Sequence, residues 1–219
     1  MTDSAAMAFK PRKTPVQTRS TATVEAIHEA TIQVLLNQGA KHLTTTRVAE
    51  RAGVSVGTLY QYFPNKQSLL FAVLEAKLNN VSEAVEAACA LSKGKPLATI
   101  VKNVVEAFVD AKMKRTDVSS ALYRIAADIG GPELARRLNQ RSQKAFETAL
   151  MTATDATWRK DQFAIQMLHA AMAGTTRSVL EAGATPKLAR ELRHHLVLLC
   201  QSYLVAVLDQ HHEVFRSNI

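Results

Sequence analysis

Apolar residues recur along this chain at helical spacing. Within 18–38, Ala22, Ile27, Ala30, Val34 and Leu35 fall on one stripe, and from Pro186 to about His211 the same holds for Leu188, Leu192, Leu196, Leu199, Tyr203 and Val207. Two-residue alternation of β-branched residues is scarce, so the pattern predicts an all-α fold. The breaks lie at Gly39, Gly53, Lys93-Gly94-Lys95-Pro96, Gly130-Gly131 and the segment before Asp161. They bound helices from about Thr18 to Gln38, from Asn65 towards Leu91 and from Leu97 to about Lys114. Further helices follow from a cap at Asp117 to near Gly130, from Pro132 to about Thr154, from Asp161 to Glu181 and from Pro186 to about His211.

The densest local signal is Leu43–Leu70, which reads as two short helices around a Gly turn with a third following. Thr44 has the hydroxyl to cap the amides of Thr46 or Arg47, and Leu43 with Val48 has the spacing of a hydrophobic staple. Gly53 ends this helix, because a residue just past a helix end often needs positive φ. Ser55 is the next cap, and Val54 with Leu59 repeats the staple. In the second helix Val54, Leu59 and Phe63 can face inward. Ser55, Val56, Gly57, Thr58, Gln61 and Tyr62 then remain outside, a face of small and hydrogen-bonding residues suited to a groove. Tyr60 and Tyr62 can donate to phosphates, and Lys66 opens the next helix, where amides and positive charge favour anions. A compact three-helix module with a merely polar surface is the alternative.

The motifs Thr44-Thr45-Thr46, Val48-Ala49, Ala52-Gly53-Val54-Ser55, Gly57-Thr58-Leu59-Tyr60, Tyr62-Phe63 and Lys66 with Leu69 resemble the DNA-binding domain of the tetracycline-repressor (TetR) family over roughly Thr18–Val85. The resemblance implies an N-terminal helix-turn-helix domain joined to a larger helical bundle that binds a ligand and dimerises. By position it implies that Thr45 and Thr46 meet DNA from the first helix of the motif. It places Ser55, Val56, Gly57, Thr58, Gln61 and Tyr62 on or beside the recognition helix, and Tyr60 and Lys66 on phosphates. Gln61 and Thr58 are the expected base readers, since Gln can pair with an adenine edge and a Thr methyl can touch a thymine methyl.

Charge agrees with a polyanionic partner: the net charge is +8 and the pI about 9.7. Between residues 10 and 66, Lys10, Arg12, Lys13, Arg19, Lys41, Arg47, Arg51 and Lys66 face only Glu25, Glu29 and Glu50. Residues 1–17 read as a flexible basic arm that follows the DNA backbone or simply as a disordered terminus, residues 18–66 as the DNA-binding head and residues 67–219 as the body. No apolar run is long enough to span a membrane and no secretory leader is evident, so a cytoplasmic protein is expected. Cys89 and Cys200 show no metal spacing and read as two reduced, buried thiols.

In the body, Phe108, Met113, Tyr123, Phe146, Met151, Trp158, Phe163, Met167 and Met172 supply aromatic and flexible apolar surface. Arg124, Asp128 and His169 interrupt apolar segments and can orient a bound molecule or form internal pairs. The candidate ligand set is Phe108, Tyr123, Arg124, Asp128, Phe146, Trp158, His169 and Met172. The small residues around Ala170 and Gly174 make a close-approach face. In the resemblance the last two long helices pair with their copies across a two-fold axis, which places Phe163, Met167, Ala170, Gly174, Leu192, Leu196, Leu199, Tyr203 and Val207 at a homodimer interface; internal packing is the alternative. His194-His195 and His211-His212 read as surface or interface residues, since adjacent residues point about 100° apart on a helix and offer one ligand each. No metal or cofactor is expected.

The pattern therefore points to a ligand-responsive, homodimeric transcription regulator, most often a repressor in this family. It would bind a pseudo-palindromic double-stranded operator and be released when a small-molecule effector swings the helix led by Asn65. A nucleoid-type DNA binder without a ligand is a second possibility. An enzyme is disfavoured: there is no nucleophile elbow, phosphate loop or zinc spacing, and no paired carboxylates in an acid–base setting.

Overall fold

The computed structural model describes residues 18–216, with side chains described for 20–209; the basic arm 1–17 and the His211-His212 side chains lie outside that range. The described residues form α1 (Thr18–His42), α2 (Thr45–Ala52), α3 (Val56–Tyr62), α4 (Lys66–Ser92), α5 (Leu97–Met113), α6 (Thr116–Ile125), a 3₁₀ turn (Ala127–Ile129), α7 (Gly131–Leu150), α8 (Gln162–Glu181) and α9 (Pro186–Arg216). No strand occurs among them, and no helix is long and apolar enough to cross a membrane.

Local chemistry sets the helix ends. Thr44 Oγ1 accepts from the Arg47 amide at 3.3 Å, Ser55 Oγ from the Thr58 amide at 2.9 Å, and Asp161 Oδ1 from the Ala164 amide at 2.9 Å. At the start of α4, Asn65 Oδ1 accepts from the Ser68 amide at 2.8 Å while Ser68 Oγ accepts from the Asn65 amide at 3.2 Å, a reciprocal cap. Gly39 breaks the last turn of α1 with φ 75° and ψ 166°. Asp117 lies inside the first turn of α6 rather than capping it, and the chain leaves that helix at Ile125 for the 3₁₀ turn before Gly130.

Two compact units result. One gathers the described residues up to Leu78 together with Asp117–Arg136, the other Asn79–Thr116 and the described residues from Arg137 on; α4 contributes to both. In the first, Ile27, Ala30, Val34 and Leu35 of α1 are buried, as are Leu43, Val48, Ala49, Leu59 and Phe63. Ala22, expected on the same stripe, is exposed. A Cβ placed at Gly130 would lie 3.9 Å from the Phe71 ring, which locates the 117–136 segment against the first part of α4. In the second unit a core of Val101, Val104, Val105, Phe108, Leu150, Leu168, Met172, Leu196 and Leu204 also takes in Cys89 and Cys200. Burial pushes both thiols up to about 12.

Candidate nucleic-acid interface

The second helix of the motif, α3, is only 7 residues long, so its position depends on what holds it. Between its two ends and α2, Gly53 (φ 67°, ψ 30°) closes the first helix, its amide bonding Glu50 O at 3.2 Å, and the Val54 amide returns to Ala49 O at 3.0 Å. Leu59 and Phe63 are buried beneath α3. The two tyrosines tie it sideways: the Tyr60 and Thr45 hydroxyls share a hydrogen bond of 3.0 Å, and those of Tyr62 and Ser20 share one of 3.1 Å. Helix α3 is thus linked to both α1 and α2. Two arginines brace α2 against α1 in turn. Arg47 Nη1 donates to Gln38 Oε1 at 2.9 Å and to His42 O at 2.7 Å, and Arg51 Nε donates to Gln33 Oε1 at 2.6 Å. Their partners are neutral, so both positive charges are kept on the head.

The residues expected to meet DNA are gathered on this one head. Thr46, Ser55, Gly57, Tyr60 and Gln61 are exposed, while Thr45, Val56, Thr58, Tyr62 and Lys66 are half-buried. Thr58 Oγ1 is 2.8 Å from Ser55 Oγ, so both residues share the cap as well as the face. Lys66 Nζ donates to Ala40 O at 3.3 Å, at the broken end of α1, which uses one of its three donors and leaves two. Hydroxyl pairing of Tyr60 and Tyr62 and the bracing by Ser20, Arg47 and Arg51 have no sequence-local signal; only their polar type on the α1 and α2 surfaces points to them.

His28 packs its ring on Phe63 with centroids 5.7 Å apart, and its Nε2 is buried without a hydrogen-bond partner. Burial lowers its pKa from the ordinary 6.5. The unfolded chain therefore takes up a proton that the folded head resists. The contribution of His28 to stability is intact above about pH 6.5 and is lost as pH falls below it towards the folded value. Melting temperature is expected to drop between pH 7.5 and pH 5, and His28→Phe is expected to shrink that drop; an unchanged drop would remove His28 from the account.

The other expected site residues divide between the units. Phe108, Phe146, Trp158 and Met172 belong to one core, and His169 meets Phe108 edge-on at 6.5 Å. Tyr123, Arg124 and Asp128 lie in the unit that holds the head, and Arg124 and Asp128 are exposed although their segment is apolar. On α8, Phe163, Met167, Ala170 and Gly174 are exposed. On α9, Leu192 and Leu196 are buried in the core of their own chain, Tyr203 and Val207 are half-buried, and Leu199 is exposed together with Leu188, Leu198 and Val205. His194 and His195 are both exposed.

Two family models cover most of the chain. "Bacterial regulatory proteins, tetR family" matches residues 27–73, and "Tetracyclin repressor-like, C-terminal domain" matches residues 96–204. The HTH-type transcriptional regulator BetI of Stenotrophomonas maltophilia is 28% identical over 127 residues, 56% of this chain and 62% of that protein. The chain thus spans about three fifths of that relative's length. Over the head alone, the class C tetracycline repressor protein of Escherichia coli is 44% identical across 54 residues, 25% of each chain. A TetR-family transcriptional regulator from Mesorhizobium loti has the same fold, with a TM-score of 0.70 at 17% identity over 87% of this chain and 98% of that one. With a capped helix-turn-helix at residues 44–62, a helical body following it in sequence and both family models matched, the chain belongs to the TetR family of DNA-binding transcriptional regulators, which are not enzymes.

Proposed function

We propose that this chain is one protomer of a homodimeric, sequence-specific repressor that holds a pseudo-palindromic operator and releases it when a small molecule enters the body. In this reading residues 18–66 read DNA in the cytoplasm, and residues 67–219 hold the effector and the second copy. The observation that carries it is the free outer face of α3. Gln61 is exposed, and a Cβ at Gly57 would meet only Ser55 Oγ at 3.7 Å, so a backbone and a bidentate amide are both open to a groove. One helix of this length reads few bases. A second head supplies the other half-site, about 34–36 Å or a multiple of it away, which is why dimerisation belongs to the reading. The name of the tetracycline repressor supports repression, and the continuity of α4 supports a helix whose displacement by an effector alters the separation of the heads.

Selection of bound sites from random DNA tests this. A discrete palindromic site is expected, and uniform salt-sensitive coverage would overturn it. Gln61→Ala is expected to cost about 1–3 kcal/mol at one base position and to relax preference there. By contrast, Lys66→Ala is expected to weaken all sites alike and lower the salt slope by about 1. A selected site that is the same with Gln61→Ala removes Gln61 as a base reader.

A further inference from the structure

We infer that the corner between α1 and α2 is a phosphate clamp, in which Lys41 and Arg47 join Lys66 on the DNA backbone beside the bases that α3 reads. The inference rests on DNA binding by the head and adds two residues, Lys41 and Arg47, to the contacts proposed above.

The end of α1 and the starts of α2 and α4 meet at this corner. Gly39 turns the chain out of the regular course of α1, and Ala40, Lys41 and His42 follow it. Two cations from elsewhere in the head close on that short segment. Lys66, the first residue of α4, donates from Nζ to Ala40 O at 3.3 Å, and Arg47, in the first turn of α2, donates from Nη1 to His42 O at 2.7 Å. The two bonded carbonyls bracket Lys41, whose side chain is exposed. Thr45, which opens α2, shares a hydroxyl hydrogen bond with Tyr60, so the corner adjoins α3 through the first turn of α2.

The positive charges at the corner are unanswered. Among the described residues no carboxylate pairs with Lys41, Arg47 or Lys66, and the oxygens that Arg47 and Lys66 bond are those of neutral amides. Glu50, exposed one turn beyond Arg47 on α2, makes no ion pair with it. Donors remain as well. Arg47 uses only its Nη1 hydrogens, which leaves Nε–H and both hydrogens of Nη2, while Lys66 keeps two of its three donors and Lys41 all three. Capping the last carbonyls of α1 accounts for the bonds of Lys66 and Arg47. It does not account for Lys41, whose side chain bonds nothing. A row of backbone phosphates answers these cations one by one, whereas a single carboxylate leaves the others unmatched. Such contacts carry no sequence information, so the clamp adds affinity and fixes the register of α3 without choosing bases.

Salt dependence measures the clamp. Affinity of the full chain is followed from about 50 to about 200 mM salt on a duplex of the selected site and on a duplex of random sequence, which share the same backbone. Lys41→Gln and Arg47→Gln are each expected to lower the slope of log affinity against log salt by about 0.9 on both duplexes, and the double variant by about twice that, with the selected sequence unchanged. Lys41→Gln, at an exposed side chain without bonds, is expected to melt with the parent. Arg47→Lys keeps the charge but gives up the brace to Gln38 and His42, so it is expected to lower the melting temperature and keep the slope. Hydroxyl-radical footprinting of the double variant is expected to lose protection on a short run of sugars beside each half-site and to keep it elsewhere. If Lys41→Gln and Arg47→Gln keep the parent's slope, the corner is not a clamp and the DNA-reading head stands. If Arg47→Lys lowers the slope as far as Arg47→Gln does, Arg47 acts as a brace and the clamp is wrong for it. If the parent binds neither duplex, the DNA reading of the head falls with the clamp.

Discussion

Phe63→Ala is expected to unfold the head and abolish operator binding while the body keeps its helical signal. The ring is 1% exposed and is among the largest fully buried side chains. It closes α3, where its amide donates to Leu59 O at 2.9 Å, and its face lies against His28. Truncating such a residue costs about 3–5 kcal/mol, the lost transfer energy plus the cavity left behind. A whole domain has a stability of only about 5–15 kcal/mol, so a loss of that size is a large share of what holds a head whose second motif helix has only 7 residues. Amide hydrogen exchange is expected to show loss of protection in α1–α3 with α5, α8 and α9 unchanged, and gel shift to show no complex at concentrations that saturate the parent. Phe63→Leu, which leaves a smaller void, is expected to retain binding. Operator affinity within threefold of the parent for Phe63→Ala would show that Phe63 does not hold the reader together.

Introducing a charge at Phe163 is expected to separate the proposed dimer. Phe163 is 69% exposed on α8, in line with exposed Met167, Ala170 and Gly174, while α9 shows Leu188, Leu198, Leu199 and Val205 to solvent. This much outward apolar surface on two consecutive helices is what a second copy would cover. A two-fold interface repeats every substitution, so Phe163→Glu removes two aromatic anchors and brings two carboxylates into the same apolar patch. Loss of one such anchor costs about 2–4 kcal/mol. Sedimentation is expected to show monomers at micromolar concentration, and affinity for a palindromic site is expected to fall roughly a hundredfold or more, since one head reads half the site. Binding to an isolated half-site is expected to stay as it was. A stable dimer of Phe163→Glu with the parent's operator affinity would move the interface elsewhere.

What could be read from the residues beforehand was set by short-range chemistry. The caps at Thr44, Ser55 and Asp161 and the turn at Gly53 each depend on atoms within about one helical turn, so residue type and spacing suffice to find them. The direction each face of α9 takes was less legible. Apolar residues surround that helix, so Leu192 and Leu199 look equivalent along the chain, yet one is buried in its own core and the other is exposed. Arg124 and Asp128 drew notice for interrupting apolar segments and turn out exposed, whereas the buried Lys112 and Thr176 did not stand out. The difference lies in which face meets a distant helix, and that is set by tertiary contacts. The hydroxyl ties of Tyr60 to Thr45 and of Tyr62 to Ser20 are of the same long-range kind, spanning |i−j| of 15 and 42.

Those ties also bear on how regulators of this build diverge. Leu59, Phe63, Tyr60 and Tyr62 hold the reading helix in place, while Gly57 and Gln61 point outward and carry no packing duty. If these two residues meet the groove as proposed, a gene duplicate that exchanges either one acquires a new DNA address in a single mutational step, without first passing through an unfolded intermediate.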